Sequence, residues 1–205
     1  MNYDNLNKLN IDNDFKFIII TGSEKIDKNI FLSFFDGLIN NIKCIDIDNG
    51  LLLIYNAKER PIKYSDYYDS ISFDLGVSFK FFEGFKIRKD NVSYLKYVLE
   101  LFYKYLDNES DSYYKVKDII LKTKDSEEIK ELKKIVLDKY NDDPYFIGFV
   151  KGLFENDLNV SKAANNLYMH RNTINNKLES IENDTSLRLQ KFGDAVAMHI
   201  LIKEN

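Results

Sequence analysis

Apolar residues in the first half of the chain recur with two periods that take turns. "FKFIII" (Phe15–Ile20) is a short continuous apolar run and predicts a buried strand. Ile30, Phe31, Phe34, Phe35, Leu38 and Ile39 then fall three and four residues apart, the stripe of an amphipathic helix. "KCIDIDNGLLLIY" holds two apolar runs joined by Asn49-Gly50, a pair that suits a two-residue hairpin because both central positions of such a turn need positive φ. Ile71, Phe73, Leu75, Val77, Phe79 and Phe81 alternate with Ser72, Asp74, Gly76, Ser78 and Lys80, so the period of two predicts the clearest strand of the chain here. Leu95, Val98, Leu99, Phe102 and Leu106 return to helical spacing. The order β-α-β-β-(short helix)-β-α predicts one sheet with helices packed on it.

"LDNESDSYY" (Leu106–Tyr114) reads as a polar loop, and from about Asp125 onward only helical patterns remain. "DSEEIKELKKIVLDKY" opens with acids and closes with Lys139, the order the helix dipole favours. Asn141-Asp142-Asp143-Pro144 breaks that pattern and restarts it, with Asp143 as cap and Pro144 at the first helical position. The expected division is 1–110 as an α/β domain, 111–143 as a helical connector and 144–205 as an all-α domain, which makes the fold α+β.

Phe146, Phe149, Val150, Leu153 and Phe154 form one apolar helix face, which "NDLN" interrupts. "VSKAANNL" predicts a short helix capped by Ser161, with Ala163 and Ala164 small enough for a second helix to cross closely. "YMH" is a three-residue turn, and Ile174, Leu178 and Ile181 line one face of the helix that follows, about 171–182. Helix, short turn and helix at this spacing predict a DNA-binding helix-turn-helix. On a wheel of about 100° per residue, Asn172 and Asn176 point directly away from that apolar face, with Thr173, Asn175 and Ser180 beside them. Asn can pair with adenine, and Arg with guanine, through two hydrogen bonds in the major groove. Asn172, Asn175 and Asn176 are therefore candidate base contacts, Arg171 at the amino end can reach either a guanine or a phosphate, and Ser161, His170, Thr173 and Lys177 stand where phosphate contacts are expected. The bland reading of the same helix is a solvated polar face in a chain that uses Asn heavily.

Charge changes that picture more than composition does. With 205 residues, 44% hydrophobic and 30% charged, the chain has the balance of a soluble globular protein. A polar, acidic Met1–Asp14 predicts no secretory signal, and "FIII" and "LLLIY" are too short to span a membrane. The single cysteine, Cys44, excludes an internal disulfide and a Cys-rich zinc site and suits a reducing cytoplasm. A net charge of −4 argues against a protein that coats nucleic acid along its whole surface. Yet Leu158–Leu178 contains no Asp or Glu while holding Lys162, Arg171 and Lys177.

"FVKGLFENDLNVSKAANNLYMHRNTINNKLESIENDTSLRLQKFGDAVAMHI" resembles the carboxy-terminal helix-turn-helix of the PucR/CdaR family of bacterial transcription regulators. Phe154-Glu155-Asn156, Asn159, Ala163-Ala164, Leu167, His170-Arg171-Asn172-Thr173, Leu178, Ile181 and Asp194-Ala195 carry the likeness, over about 50 residues. Family members usually have Tyr-Arg at Asn176-Lys177 and Gly at Ser186, and "RNTINNKL" is also similar to the related Fis-type recognition helix. Because Asn176 lies at the centre of the exposed face, this departure leaves the base preference open. The first half more weakly resembles the degenerate GGDEF-like domain, similar to a nucleotide-cyclase palm, that many members carry before the helix-turn-helix. There Asp48-Asn49-Gly50-Leu51-Leu52 stands in place of the signature motif, and Thr21 in place of a metal-binding acid at the end of the first strand. Two-metal phosphoryl chemistry needs carboxylates at those points, so the resemblance implies a non-catalytic domain for dimerisation or effector sensing.

Other chemistry weighs less. Asp46 and Asp48, on alternate strand positions, form either a cation site or, more simply, an exposed strand face. His199 lies among apolar residues and reads as structural; His170 has no acid or nucleophile in its segment, so capping or a phosphate contact outweighs catalysis. Tyr64, Tyr67 and Tyr68 either edge a ligand pocket or, the favoured reading, cover the sheet. No P-loop, dinucleotide fingerprint or metal-spaced His pair occurs. The sequence thus predicts a cytoplasmic, non-enzymatic regulator without cofactor or metal, binding double-stranded DNA as a homodimer, with a small-molecule effector as a candidate partner. The alternative is an adaptor that keeps the fold without binding DNA, which fits the balanced charge of the last 55 residues.

Overall fold

The structure is a computed structural model that describes residues 11–22, 27–60, 62–110 and 112–203; most of the Met1–Asp14 stretch lies outside the described residues. By contacts the chain divides into Met1–Ile119 and Ile120–Asn205. Among the described residues no helix is long and apolar enough to cross a membrane.

The first unit is built on β1 (Phe15–Thr21), followed by α1 (Lys28–Phe35), β2 (Lys43–Ile47), β3 (Gly50–Asn56), α2 (Tyr64–Leu75), β4 (Lys80–Glu83), α3 (Val92–Leu106) and β5 (Tyr113–Lys115). The strands form one sheet in the order β2-β3-β1-β4-β5. β1 runs antiparallel to both neighbours, with Ile18 opposite Leu53 on β3 and Glu83 on β4. All five residues after Lys16 are buried because helices cover both faces of this central strand. On one face Ile18, Ile20, Leu51, Leu53, Tyr55 and Phe81 meet Phe31 and Phe35 of α1 and Tyr64 and Ile71 of α2. On the other, Phe17 packs on Phe82 and Phe85, and Phe82 meets Phe102 of α3 edge-on at 5.6 Å.

The alternating run at 71–81 is not one strand. Residues up to Leu75 belong to α2, and the strand begins only at Lys80. Tyr64, Tyr68 and Ile71 stand at i, i+4 and i+7 and face the sheet, while Phe73 is 85% exposed. Gly76 then closes the helix at φ 62°, its N–H donating to the carbonyls of Ser72 and Phe73. The period of two therefore straddles a helix end, a turn and a short strand. Tyr113–Lys115, which overlaps the end of the expected loop, instead adds a parallel edge strand beside Phe81–Glu83. The expected hairpin forms, but its turn is Asp48-Asn49, since Ile47 pairs with Gly50, and of the turn residues Asn49 has the positive φ (54°).

Two of the three tyrosines, Tyr64 and Tyr68, cover the sheet, whereas Tyr67 is 42% exposed. Tyr64 is buried against Phe81, Phe35 and Tyr55, and the Tyr68 hydroxyl donates to the Phe79 carbonyl at 3.0 Å. Burial pushes the Tyr64 hydroxyl well above the ordinary phenol range. Asp46 and Asp48 are exposed, and among the described residues no group of three or more His, Cys, Asp or Glu is placed to hold a metal.

The unit division falls within α4 (Val116–Lys122). Then come α5 (Ser126–Leu137), a 3-10 turn (Asp138–Tyr140), α6 (Pro144–Glu155), α7 (Val160–Asn166), α8 (Arg171–Thr185) and α9 (Phe192–Lys203). α5 packs against both α8 and α9, and α7 lies between α6 and α8. Asp125 caps α5, and Asp143 caps α6 by accepting the Tyr145 N–H at 2.9 Å ahead of Pro144. Lys139 does not close α5. It lies in the 3-10 turn, where its ammonium reaches the Asp184 carboxylate of α8 at 2.7 Å.

Candidate nucleic-acid interface

The scaffold of α6, α7 and α8 is set by small residues and two polar fastenings. Ala163 and Ala164 are buried where α7 crosses its neighbours. A β-carbon on Gly152 would stand 2.6 Å from Leu167 Cδ2, so the absence of a side chain in α6 is what lets the end of α7 lie against it. Asn156, buried at the end of α6, donates from Nδ2 to the Gly152 carbonyl at 2.8 Å and accepts from Asn166 Nδ2 at 2.6 Å. A buried amide satisfied on both its ends fixes the two helix ends against each other.

The cap of α7 is Asn159, not Ser161. Asn159 holds an extended backbone, and its Oδ1 accepts the N–H groups of Ser161 and Lys162 at 3.0 and 3.1 Å. Asn and Ser are near equals as caps, so the helix start at Val160 decided between them. Ser161 is left exposed in the first turn, with its hydroxyl released from the capping role.

Between α7 and α8 the chain turns through Leu167, Tyr168 and Met169. Tyr168 takes φ 52°, and the Met169 N–H reaches back to the Ala164 carbonyl at 2.9 Å. His170 caps α8: its Nδ1 accepts the Asn172 N–H at 3.2 Å. When Nδ1 accepts, the proton of a neutral imidazole is on Nε2, which makes that nitrogen of this exposed side chain a donor.

From this cap Ile174, Leu178 and Ile181 enter the core, at 0%, 7% and 2% exposure. Arg171, Asn172, Thr173, Asn175, Asn176 and Lys177 are all exposed on the first half of the same helix. The chain thus brings together, on two turns of α8, six of the eight residues singled out above; His170 begins the helix, and Ser161 stands apart on α7. Lys177 leans across α6, its ammonium 5.6 Å from the Phe149 ring centroid. Lys162 is also exposed and lies 4.0 Å from the Asp157 carboxylate, just outside the acid-free window.

The second half of α8 is held by groups that sequence patterns did not reveal. Asp184 accepts the Tyr140 hydroxyl at 2.9 Å as well as Lys139, and the Tyr140 ring stacks on Phe146 at 4.6 Å. Burial, and after it Asp184, push the Tyr140 hydroxyl above its ordinary range; Ser180 acts the other way. Burial lowers the Lys139 ammonium, but its hydrogen bond and charge contact with Asp184 outweigh that and raise it overall. Ser186 ends α8 in the left-handed region at φ 59°, the conformation glycine fills most easily. The Asp194 carboxylate, buried at the start of α9, accepts the Arg188 N–H at 2.9 Å and fixes the loop that returns the chain. His199 meets Phe154 edge-on at 5.7 Å, a packing contact.

No curated protein matches the chain. Among solved structures it is similar to the crystal structure of a regulator of polyketide synthase expression from Bifidobacterium adolescentis, with a TM-score of 0.40 and 13% identity, over 97% of this chain and 82% of that one. Residues 148–203 match the PucR C-terminal helix-turn-helix domain. That span runs from within α6 to the end of α9 and contains the caps, the Asn156–Asn166 fastening and the exposed face of α8. The chain therefore carries a PucR C-terminal helix-turn-helix domain over residues 148–203.

Proposed function

We propose that this chain is a cytoplasmic transcriptional regulator that binds double-stranded DNA sequence-specifically, with α8 in the major groove. The observation that carries the reading is the exposed, acid-free first half of α8 within a PucR-type helix-turn-helix. Asn172, Asn175 and Asn176 present amides to base edges, and Arg171 reaches a guanine or a phosphate. Ser161, Thr173, Lys177 and the Nε2–H of His170 hold the phosphate backbone. One module of this size reads too few bases for a genomic address, so the protein acts as a homodimer on paired half-sites.

The first unit is, on this reading, a non-catalytic GGDEF-like domain that serves dimerisation or effector sensing. Thr21 stands where phosphoryl transfer would require a metal-binding carboxylate, and Asp48 is the one acid in the segment 48–52 that replaces the signature motif.

The test is binding of the full chain to duplexes recovered from a random-oligonucleotide selection, repeated across a salt series. A regulator enriches a defined sequence, and its affinity falls steeply with salt as phosphate contacts release counterions. Recovery of no preferred sequence overturns the reading in favour of an adaptor that keeps the fold. Incubation with GTP and a divalent metal is expected to give no product.

A further inference from the structure

The turn between α7 and α8 holds a side chain that the recognition face leaves unused. Tyr168 is 97% exposed, and its backbone sits at φ 52°. A residue with a β-carbon enters that region only at a cost, and Gly or Asn fills it more readily. The conformation is pinned, because the Tyr168 N–H donates to the Asn165 carbonyl at 3.3 Å and the Met169 N–H to Ala164 at 2.9 Å. A ring this exposed gains nothing from burial. Neither packing nor backbone preference accounts for a tyrosine at this point.

Its position does suggest a use. Tyr168 lies two residues before the cap His170 and three before Arg171, inside a stretch from Leu158 to Leu178 that contains no carboxylate. A phenol is a hydrogen-bond donor with no charge of its own, and tyrosine is among the side chains that hold DNA phosphates. We infer that the Tyr168 hydroxyl donates to a DNA phosphate at the edge of the groove that α8 enters. The inference rests on the DNA-binding reading above and assigns that interface a positioning contact supplied by the turn. A neutral donor releases no counterion, so its loss weakens binding to every sequence alike and leaves the salt dependence unchanged. That separates it from the loss of Lys177 or Arg171.

The test uses the full chain, a duplex selected by the wild type and an unrelated duplex. Y168F removes only the hydroxyl; it is expected to weaken both duplexes by roughly three- to tenfold with an unchanged slope of affinity against salt. Y168G also relieves the backbone, and is expected to bind as weakly or more weakly while melting roughly 2–4 °C higher. Wild-type selectivity combined with unaltered binding by Y168F overturns the Tyr168 contact and leaves the regulator reading standing. Absence of selective binding by the wild type overturns both. Should Y168G fold poorly, Y168F alone decides.

Discussion

Asn156 and Asn166 close the helix-turn-helix through a side-chain hydrogen bond of 2.6 Å between the ends of α6 and α7. Asn156 is only 7% exposed and spends its own N–H on the Gly152 carbonyl, so neither end of its amide is solvated. Asn156→Ala should cost about 1–3 kcal/mol, because it strands Asn166 and a buried carbonyl together. Asn166→Ala, which leaves one acceptor unmet, should cost less. Denaturant melts of both variants and of the double variant check this; additive effects would mean the two residues do not act as one fastening.

Gly152 sets the distance between the same two helices. Alanine there gains roughly 1 kcal/mol of helix propensity, but its β-carbon would stand 2.6 Å from Leu167 Cδ2 and 3.1 Å from Cγ. Overpacking of that kind costs about 1–3 kcal/mol, so the net change should be destabilising. A shorter residue at 167 should reverse the sign of the Gly152→Ala effect. Thermal melts of Gly152→Ala in the wild-type and Leu167→Ala backgrounds give both numbers.

The Asp184 cluster makes the back of α8 sensitive to alkali. Tyr140 and Lys139 both titrate higher in the folded chain than their ordinary values of 10.0 and 10.5. Raised values mean the cluster's contribution is complete below about pH 10 and is lost as pH climbs through the raised values. Asp184→Asn should therefore lower stability near neutrality and flatten its decline above pH 10. Melts from pH 7 to 11 test this; an equally steep alkaline limb in the variant would refute it.

On DNA the two kinds of residue on α8 should separate. Asn172→Ala is expected to lose about 1–3 kcal/mol of discrimination between the selected and an unrelated duplex, with little change on the latter. Lys177→Ala should weaken both and reduce the salt slope by about 1. Titrations at several salt concentrations measure both. Uniform weakening by Asn172→Ala would remove it from base contact.

The inward stripe of α8 was legible because Ile174, Leu178 and Ile181 repeat at helical spacing over a segment with no competing pattern. Residues 71–81 misled because one local period crossed three elements. The signal that decides, Tyr64, Tyr68 and Ile71 at i, i+4 and i+7, begins upstream of it. β5 could not be read locally: Tyr113–Lys115 is a strand only because Phe81–Glu83 lies beside it. The site shows the same division. Which residues share the exposed face of α8 follows from periodicity, whereas the Asn156–Asn166 bond and the grip of Tyr140 on Asp184 join residues 10 and 44 positions apart.

The hairpin at Asp48-Asn49 limits how this chain can vary. Gly50 does not adopt a positive φ, so turn chemistry does not require it. It is required because a β-carbon there would stand 2.0 Å from the Ile20 carbonyl oxygen on the central strand. The permissive and the intolerant positions are thus neighbours with exchanged roles. Asn49 can become Gly or Asp without moving a strand, while even alanine at Gly50 would pry β3 from β1. Among descendants of this sequence the bend itself should drift, and the residue just after it should stay.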